Sequence, residues 1–179
     1  ANTTADDSTA IGYLALTANT TGAENTAVGS GALTANTTGF NNSALGRCAL
    51  ISNTEGDKNT SIGMSTLRCN LTGCSNTAVG YTALLKNTAS NNTAVGADAL
   101  ICNTTGTPNI AVGNFSLCAN TTGASNTGVG FCALRNNTEG DSNTGFGRGA
   151  LQTNATGDAN TAVGRNALIN NTASNNTAV

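Results

Sequence analysis

Glycine returns every 17 residues along this chain, at Gly12, Gly29, Gly46, Gly63, Gly80, Gly96, Gly113, Gly130, Gly147 and Gly164. The units that begin at Gly80 and Gly164 are one residue short, because N-T-A-S-N-N replaces N-T-T-G-x-x-N. So short a period leaves few folds open. It is too brief for a helix pair and carries no heptad, and Thr, Val and Ile bounded by Gly and Asn suit short strands and turns. The expected fold is all-β, a parallel β-solenoid (β-helix or β-roll) of about ten 17-residue coils. Each coil is predicted to hold one strand around T-A-V and a second around A-L. The chain reads as a single repeat domain, 1–179, with a partial coil at 1–11 and ten coils over 12–179. Coils stacked about 4.8 Å apart would make a rod of roughly 50 Å.

Numbered from its glycine, the unit is G-x-x-A-L-x-x-N-T-T-G-x-x-N-T-A-V. Column five is always Leu: Leu16, Leu33, Leu50, Leu67, Leu84, Leu100, Leu117, Leu134, Leu151 and Leu168. Column seventeen is always apolar and includes Val28, Val79, Val95, Val112, Val129 and Val163. These two columns are predicted to be the core. Ile110, in a column fifteen otherwise of Thr or Ser, suggests that this column also points inward, because residues two apart share a strand face. All sixteen charges fall in columns two, three, six, seven, ten, twelve or thirteen, as solvent-facing positions would.

Asn recurs in column eight (Asn19, Asn36, Asn53, Asn70, Asn87, Asn103, Asn120, Asn137, Asn154, Asn171) and in column fourteen (Asn25, Asn42, Asn59, Asn76, Asn92, Asn109, Asn126, Asn143, Asn160, Asn176). An amide both donates and accepts, so stacked Asn residues are expected to form ladders, although Asn also suits turns in its own right. The glycines of columns one and eleven are expected at positive φ. With about two large apolar residues per coil, burial alone cannot hold a coil together. Stability must come from bonds between coils, and the rod is nearest-neighbour stabilised. The pattern starts mid-unit at Ala1 and stops at Val179, and open coil ends would invite head-to-tail stacking.

Composition narrows the function. Seven scattered basic residues and a net charge of -2 exclude nucleic acid as a partner. No apolar run approaches the roughly 20 residues that cross a bilayer, so membrane insertion is not expected. With no His and dispersed carboxylates the chain is not expected to be an enzyme, and no catalytic residue, metal site or cofactor is assigned. Asp57, Asp141 and Asp158 share column twelve without the unbroken series that a calcium-binding roll needs. Six cysteines suggest an oxidising compartment. Cys102 with Cys118, and Cys69 with Cys74, are the candidate disulfides, with intermolecular bonds or free thiols the alternatives. Of the many sequons, those at Asn19, Asn36, Asn59, Asn70, Asn103, Asn120 and Asn154 would carry glycans only if those residues were not in an inward ladder.

The stretches N-T-A-V-G-Y-T-A-L (Asn76 to Leu84) and N-T-T-G-A-S-N-T-G-V-G-F-C-A-L (Asn120 to Leu134) resemble the N-T-A-x-G-x-x-A-L repeats of tail-fibre-like proteins. They are more distantly similar to the head repeats of trimeric autotransporter adhesins. The first resemblance implies an extracellular or virion fibre, and the second implies trimers. The expected role is therefore a structural subunit or shaft segment of an extracellular filament, partnered by copies of itself end to end or as a trimer. An adhesin or receptor-binding rod is the alternative, with Tyr13, Tyr81, Phe115 and Phe131 meeting a surface glycan or receptor. Ice binding through the Thr rank of column nine, interrupted by Leu71 and Ala155, ranks third.

Overall fold

The computed structural model describes residues 6–179. It is a parallel β-solenoid with no helix among the described residues. The strands are β1 (Thr9–Ile11), β2 (Thr26–Val28), β3 (Ser43–Leu45), β4 (Thr60–Ile62), β5 (Thr77–Val79), β6 (Thr93–Val95), β7 (Ile110–Val112), β8 (Thr127–Val129), β9 (Thr144–Phe146), β10 (Thr161–Val163) and β11 (Thr177–Ala178). They form one sheet in chain order. Every pairing keeps equivalent columns side by side, as Thr26, Ala27 and Val28 lie beside Ser43, Ala44 and Leu45. The short coil keeps this register, with Thr77 beside Thr93.

The second strand expected around A-L does not form. Columns two to seven are a continuous turn, and the reason lies in the leucines. Each sits in the left-handed region, with φ of 49° at Leu33, 48° at Leu67 and 50° at Leu100, and column three does the same at Cys48 (57°) and Cys132 (56°). Left-handed residues at columns three and five coil the backbone while its amides still bond from coil to coil. The Leu33 N–H donates to Ala49 O at 3.1 Å and the Ala35 N–H to Ile51 O at 3.1 Å, while the Cys48 N–H reaches back to Ser30 O at 2.9 Å. A left-handed L-residue costs roughly 1–2 kcal/mol. Burial of its side chain and the bonds to both neighbouring coils offset that cost. Leu33, Leu50, Leu67, Leu84, Leu100, Leu117, Leu134 and Leu151 are fully buried, Leu16 nearly so, and Leu168 packs half-buried against the cluster.

The valines are not in the core. Val28, Val79 and Val129 are half-buried, and Val95, Val112 and Val163 are each 37% exposed, whereas the intervening Ala27, Ala78, Ala94, Ala111 and Ala162 are fully buried. Columns fifteen and seventeen do share a face, as Ile110 indicated, but it is the outer one, and Ile110 itself is 45% exposed. The cross-section is too narrow for a large side chain from each wall. Leu fills it from the turn side, so the strand wall can present only a methyl group, from Ala in column sixteen against Ala in column four. Two exceptions come as matched sets, while Gly145 simply lacks the methyl group. Ser61 and Thr66 place their hydroxyls 2.5 Å apart, and Ser116 gains room because Gly128 faces it, where a Cβ would lie 2.6 Å from Ser116 Oγ.

Two asparagine ladders run along the rod by different chemistry. In column eight, side chain meets side chain: Asn36 Nδ2 donates to Asn19 Oδ1 at 2.9 Å, Asn53 to Asn36 at 2.8 Å and Asn70 to Asn53 at 2.9 Å. Each Nδ2 also donates to the column-eleven carbonyl of its own coil, as Asn36 does to Gly39 O at 2.9 Å. In column fourteen, side chain meets backbone at every step, with amide-to-amide bonds added at some, as from Asn59 Nδ2 to Asn42 Oδ1 at 3.1 Å. The Asn42 N–H donates to Asn25 Oδ1 at 2.9 Å, while Asn25 Nδ2 donates forward to Gly39 O at 2.7 Å. The column-fourteen ladder continues to Asn176, whose N–H donates to Asn160 Oδ1 at 2.9 Å.

The column-eight ladder breaks twice. Asn70 Oδ1 and Asn154 Oδ1 are buried with no donor, and each faces one of the short coils. There the shortened turn draws Asn87 Nδ2 to Ala89 O, 2.7 Å away and two residues on, instead of to a carbonyl three residues on, and the amide no longer reaches its neighbour. The ladder resumes when Asn103 Nδ2 donates to Asn87 Oδ1 at 2.7 Å. These breaks mark a larger period. Residues 12–95 and 96–179 are two 84-residue blocks of five coils each. In both, the third coil contains N-T-E-G-D (Asn53 to Asp57, Asn137 to Asp141), the fourth lacks the column-nine Thr (Leu71, Ala155) and the fifth is short.

The two glycine columns serve different ends. Gly29 needs its φ of 133°, and a Cβ there would lie 2.5 Å from Gly46 O. Gly39 has no positive φ, contrary to expectation. It is glycine for space alone, since a Cβ would meet Gly56 O at 2.5 Å and Asn36 Oδ1 at 2.6 Å.

Candidate functional surfaces

Two surfaces remain once the interior is accounted for. The first is the strand face, where columns fifteen and seventeen stand outward in parallel ranks along the rod. It carries no charged residue, because columns fourteen to seventeen contain none. Its apolar rank includes Leu45 (50% exposed) and Phe146 (56% exposed) beside the half-exposed valines. By contrast, the Thr rank of column nine spends its hydroxyls inside the fold. Thr37 Oγ1 donates to Thr54 O at 3.0 Å and Thr104 Oγ1 to Thr121 O at 3.0 Å, so this rank does not offer them freely to water.

The second surface is a groove on the turn side of the second block, about 440 Å³ in volume. Columns two, three and six build it, and these are the columns the repeat leaves free to vary. Phe115 and Phe131 meet edge to face with ring centroids 6.4 Å apart. The Arg135 guanidinium lies 5.5 Å from the Phe115 centroid and that of Arg148 5.7 Å from the Phe131 centroid, within cation–π range. Arg165, Gln152 and Asn166 complete its polar lining, and no carboxylate lines it. Gly149 keeps it open: a Cβ there would lie 2.7 Å from Asn166 Oδ1 and 3.2 Å from Gln152 Oε1. Of the four aromatic residues expected to meet a ligand, the structure brings Phe115 and Phe131 together here. Tyr13 and Tyr81 stand apart from the groove, 75% and 54% exposed.

Neither candidate disulfide forms, and all six cysteines are free thiols. Cys74 is committed elsewhere. Its sulfur accepts the Asp57 N–H at 3.3 Å and its thiol donates to Thr72 O at 3.3 Å, while Cys69 is exposed. Cys102 and Cys118 sit on adjacent coils, joined by a backbone bond from the Cys102 N–H to Cys118 O at 3.3 Å. They occupy neighbouring columns, however, so their side chains do not stack as equivalent residues do. Burial, reinforced by the Cys102 thiol, pushes the Cys118 thiol above the ordinary range, which favours its protonated form. Cys132 is buried, although its column was expected to be exposed.

Column twelve holds a polar rail that sequence reasoning missed. Each backbone N–H donates to the side chain of the next coil: Phe40 to Asp57 Oδ1 at 3.0 Å, Asp57 to the Cys74 sulfur, and Cys74 to Ser90 Oγ at 2.9 Å. In the second block Ala124, Asp141 and Asp158 donate in turn to Asp141, Asp158 and Ser174 at 2.7, 2.8 and 2.9 Å. The shared column of Asp57, Asp141 and Asp158 is thus explained by backbone amides. The signal that would have exposed it is the 84-residue offset, which aligns Asp57 with Asp141 and Ser90 with Ser174.

The sequon residues Asn19, Asn36, Asn59, Asn70, Asn103, Asn120 and Asn154 are all fully buried, so the folded rod offers none of them for glycosylation. Among the described residues, no three His, Cys, Asp or Glu side chains gather as a metal site, and no helix is long and apolar enough to cross a membrane. Compared with models of protein families, with curated proteins and with solved structures, the chain matches none of them.

Proposed function

We propose that this chain is a structural subunit, a shaft segment of an extracellular or surface-attached filament such as a virion fibre, and that it works by association rather than catalysis. The uncharged strand face carries this reading. Ranks of Thr and Val, Ile, Leu or Phe run the length of an otherwise polar rod, and such an extended apolar strip on a soluble surface marks an interaction site. A second copy presents the same ranks at the same coil spacing, so two or three rods can pack along their length without burying a charge. The resemblance to tail-fibre-like repeats and to trimeric adhesin heads supports the same reading.

Sedimentation and negative-stain imaging of the chain test it. The wild type should form dimers, trimers or filaments, and Val95→Lys with Val112→Lys should leave a folded monomer, because each charge would enter the packed strip. A wild-type chain that stays monomeric at high concentration would overturn the reading. If that monomer also showed thermal hysteresis, the strand face would be a water-ordering surface instead.

A further inference from the structure

The groove in the second block is not a by-product of the repeat. The 84-residue offset places Gly31, Ile51, Met64 and Tyr81 where the groove has Phe115, Arg135, Arg148 and Arg165, so the same scaffold carries a different surface in the first block. In a chain of net charge -2, three of the seven cations gather where no carboxylate lines the wall. Arg148 and Arg165 occupy column two of successive coils, about 4.8 Å apart along the axis. Like charges on neighbouring coils repel, and an anion held between them would relieve that repulsion. Two of the guanidinium groups are held over aromatic rings, which orients their planes and leaves their N–H edges free.

We propose that this groove binds an acidic polysaccharide, a chain of carboxylate- or sulfate-bearing pyranoses laid along the rod axis. Guanidinium groups pair bidentately with planar or tetrahedral oxyanions, and the part of the Phe131 ring left uncovered by Arg148, in a residue 47% exposed, can take the C–H side of a sugar ring. The groove's volume lies within the range of small-ligand sites, about 300–1,000 Å³. The exposed aromatic ring favours a saccharide over an acidic peptide, whose carboxylate side chains offer no ring face to stack on it.

Calorimetry of the full chain with a sulfated hexasaccharide and an oligouronate of the same length tests the proposal. Unsulfated hexasaccharide and oligoglutamate serve as comparisons. At least one acidic saccharide should bind, more weakly as salt rises. Arg148→Ser and Arg165→Ser should each weaken it about tenfold, the worth of one charge-assisted hydrogen bond. Phe131→Ala should also weaken it, while Arg47→Ser with Arg68→Ser, on the turn side of the first block, should leave it unchanged. These arginines are exposed, so the variants should keep the wild-type circular dichroism. No binding by either acidic saccharide, an equal loss in the first-block variant, or tighter binding of oligoglutamate would overturn the proposal. None of these outcomes depends on whether the rods associate through their strand faces.

Discussion

Leucine held at positive φ in coil after coil decides what substitution does at this scale. Leu100 is enclosed on all sides, so Leu100→Ala should cost about 2–5 kcal/mol, the price of a large-to-small change in a core that cannot collapse. Val112→Thr, on the outer face, should stay within about 0.5 kcal/mol. Urea denaturation of the two variants checks the contrast, and equal losses would return the valines to the interior. Ser116 and Gly128 make a second test. Gly128→Ala alone drives a methyl group against Ser116 Oγ and should destabilise the rod, whereas the same change with Ser116→Ala restores the common Ala pair and should recover the loss. A double-mutant cycle reads this coupling directly, and additive effects would refute it.

At the scale of the coil, what was legible in the sequence depended on whether a residue type admits one role or several. The solenoid, its coil length and the buried leucines followed from the period and from a column that never varies. The asparagine ladders followed because an amide repeated in every coil can bond to its own copy in the next, a role that turn preference does not displace. The side taken by the valines did not follow, because a three-residue strand has one inward position, and Ala in that position is as apolar as its neighbours. Nor did the left-handed leucines, since nothing in a leucine side chain announces positive φ. The one-residue deletion was visible, but its effect, an orphaned amide oxygen on the preceding coil, needed the geometry. Replacing Ala89 with Thr-Gly would restore the full N-T-T-G-S-N-N turn and bring the Asn87 amide back to Asn70 Oδ1. This should stabilise the rod by about 1–3 kcal/mol, seen as a higher urea midpoint. An unchanged or lower midpoint would show that the orphaned oxygen has another origin.

Across the whole molecule, a uniform interior coexists with surfaces that differ from one side and one block to the next. Among the described residues strand contacts join neighbouring coils only, so stability adds coil by coil, while the exposed positions of columns two, three and six can change with little effect on it. That independence is why the groove lies in one block and was invisible in the repeat pattern. It also makes the fifth coils consequential. Where the other junctions between the ten coils from Gly12 onward are laced by both asparagine rails, those after Asn70 and Asn154 lose the column-eight bond and keep the column-fourteen rail, the column-twelve bond to Ser90 or Ser174 and the backbone. Pulled lengthwise in a single-molecule instrument, the rod should part first at these seams, and its extension should grow in steps set by the five-coil block rather than by the single coil. A rod with such built-in yield points gives way in stages under load instead of snapping at an arbitrary place.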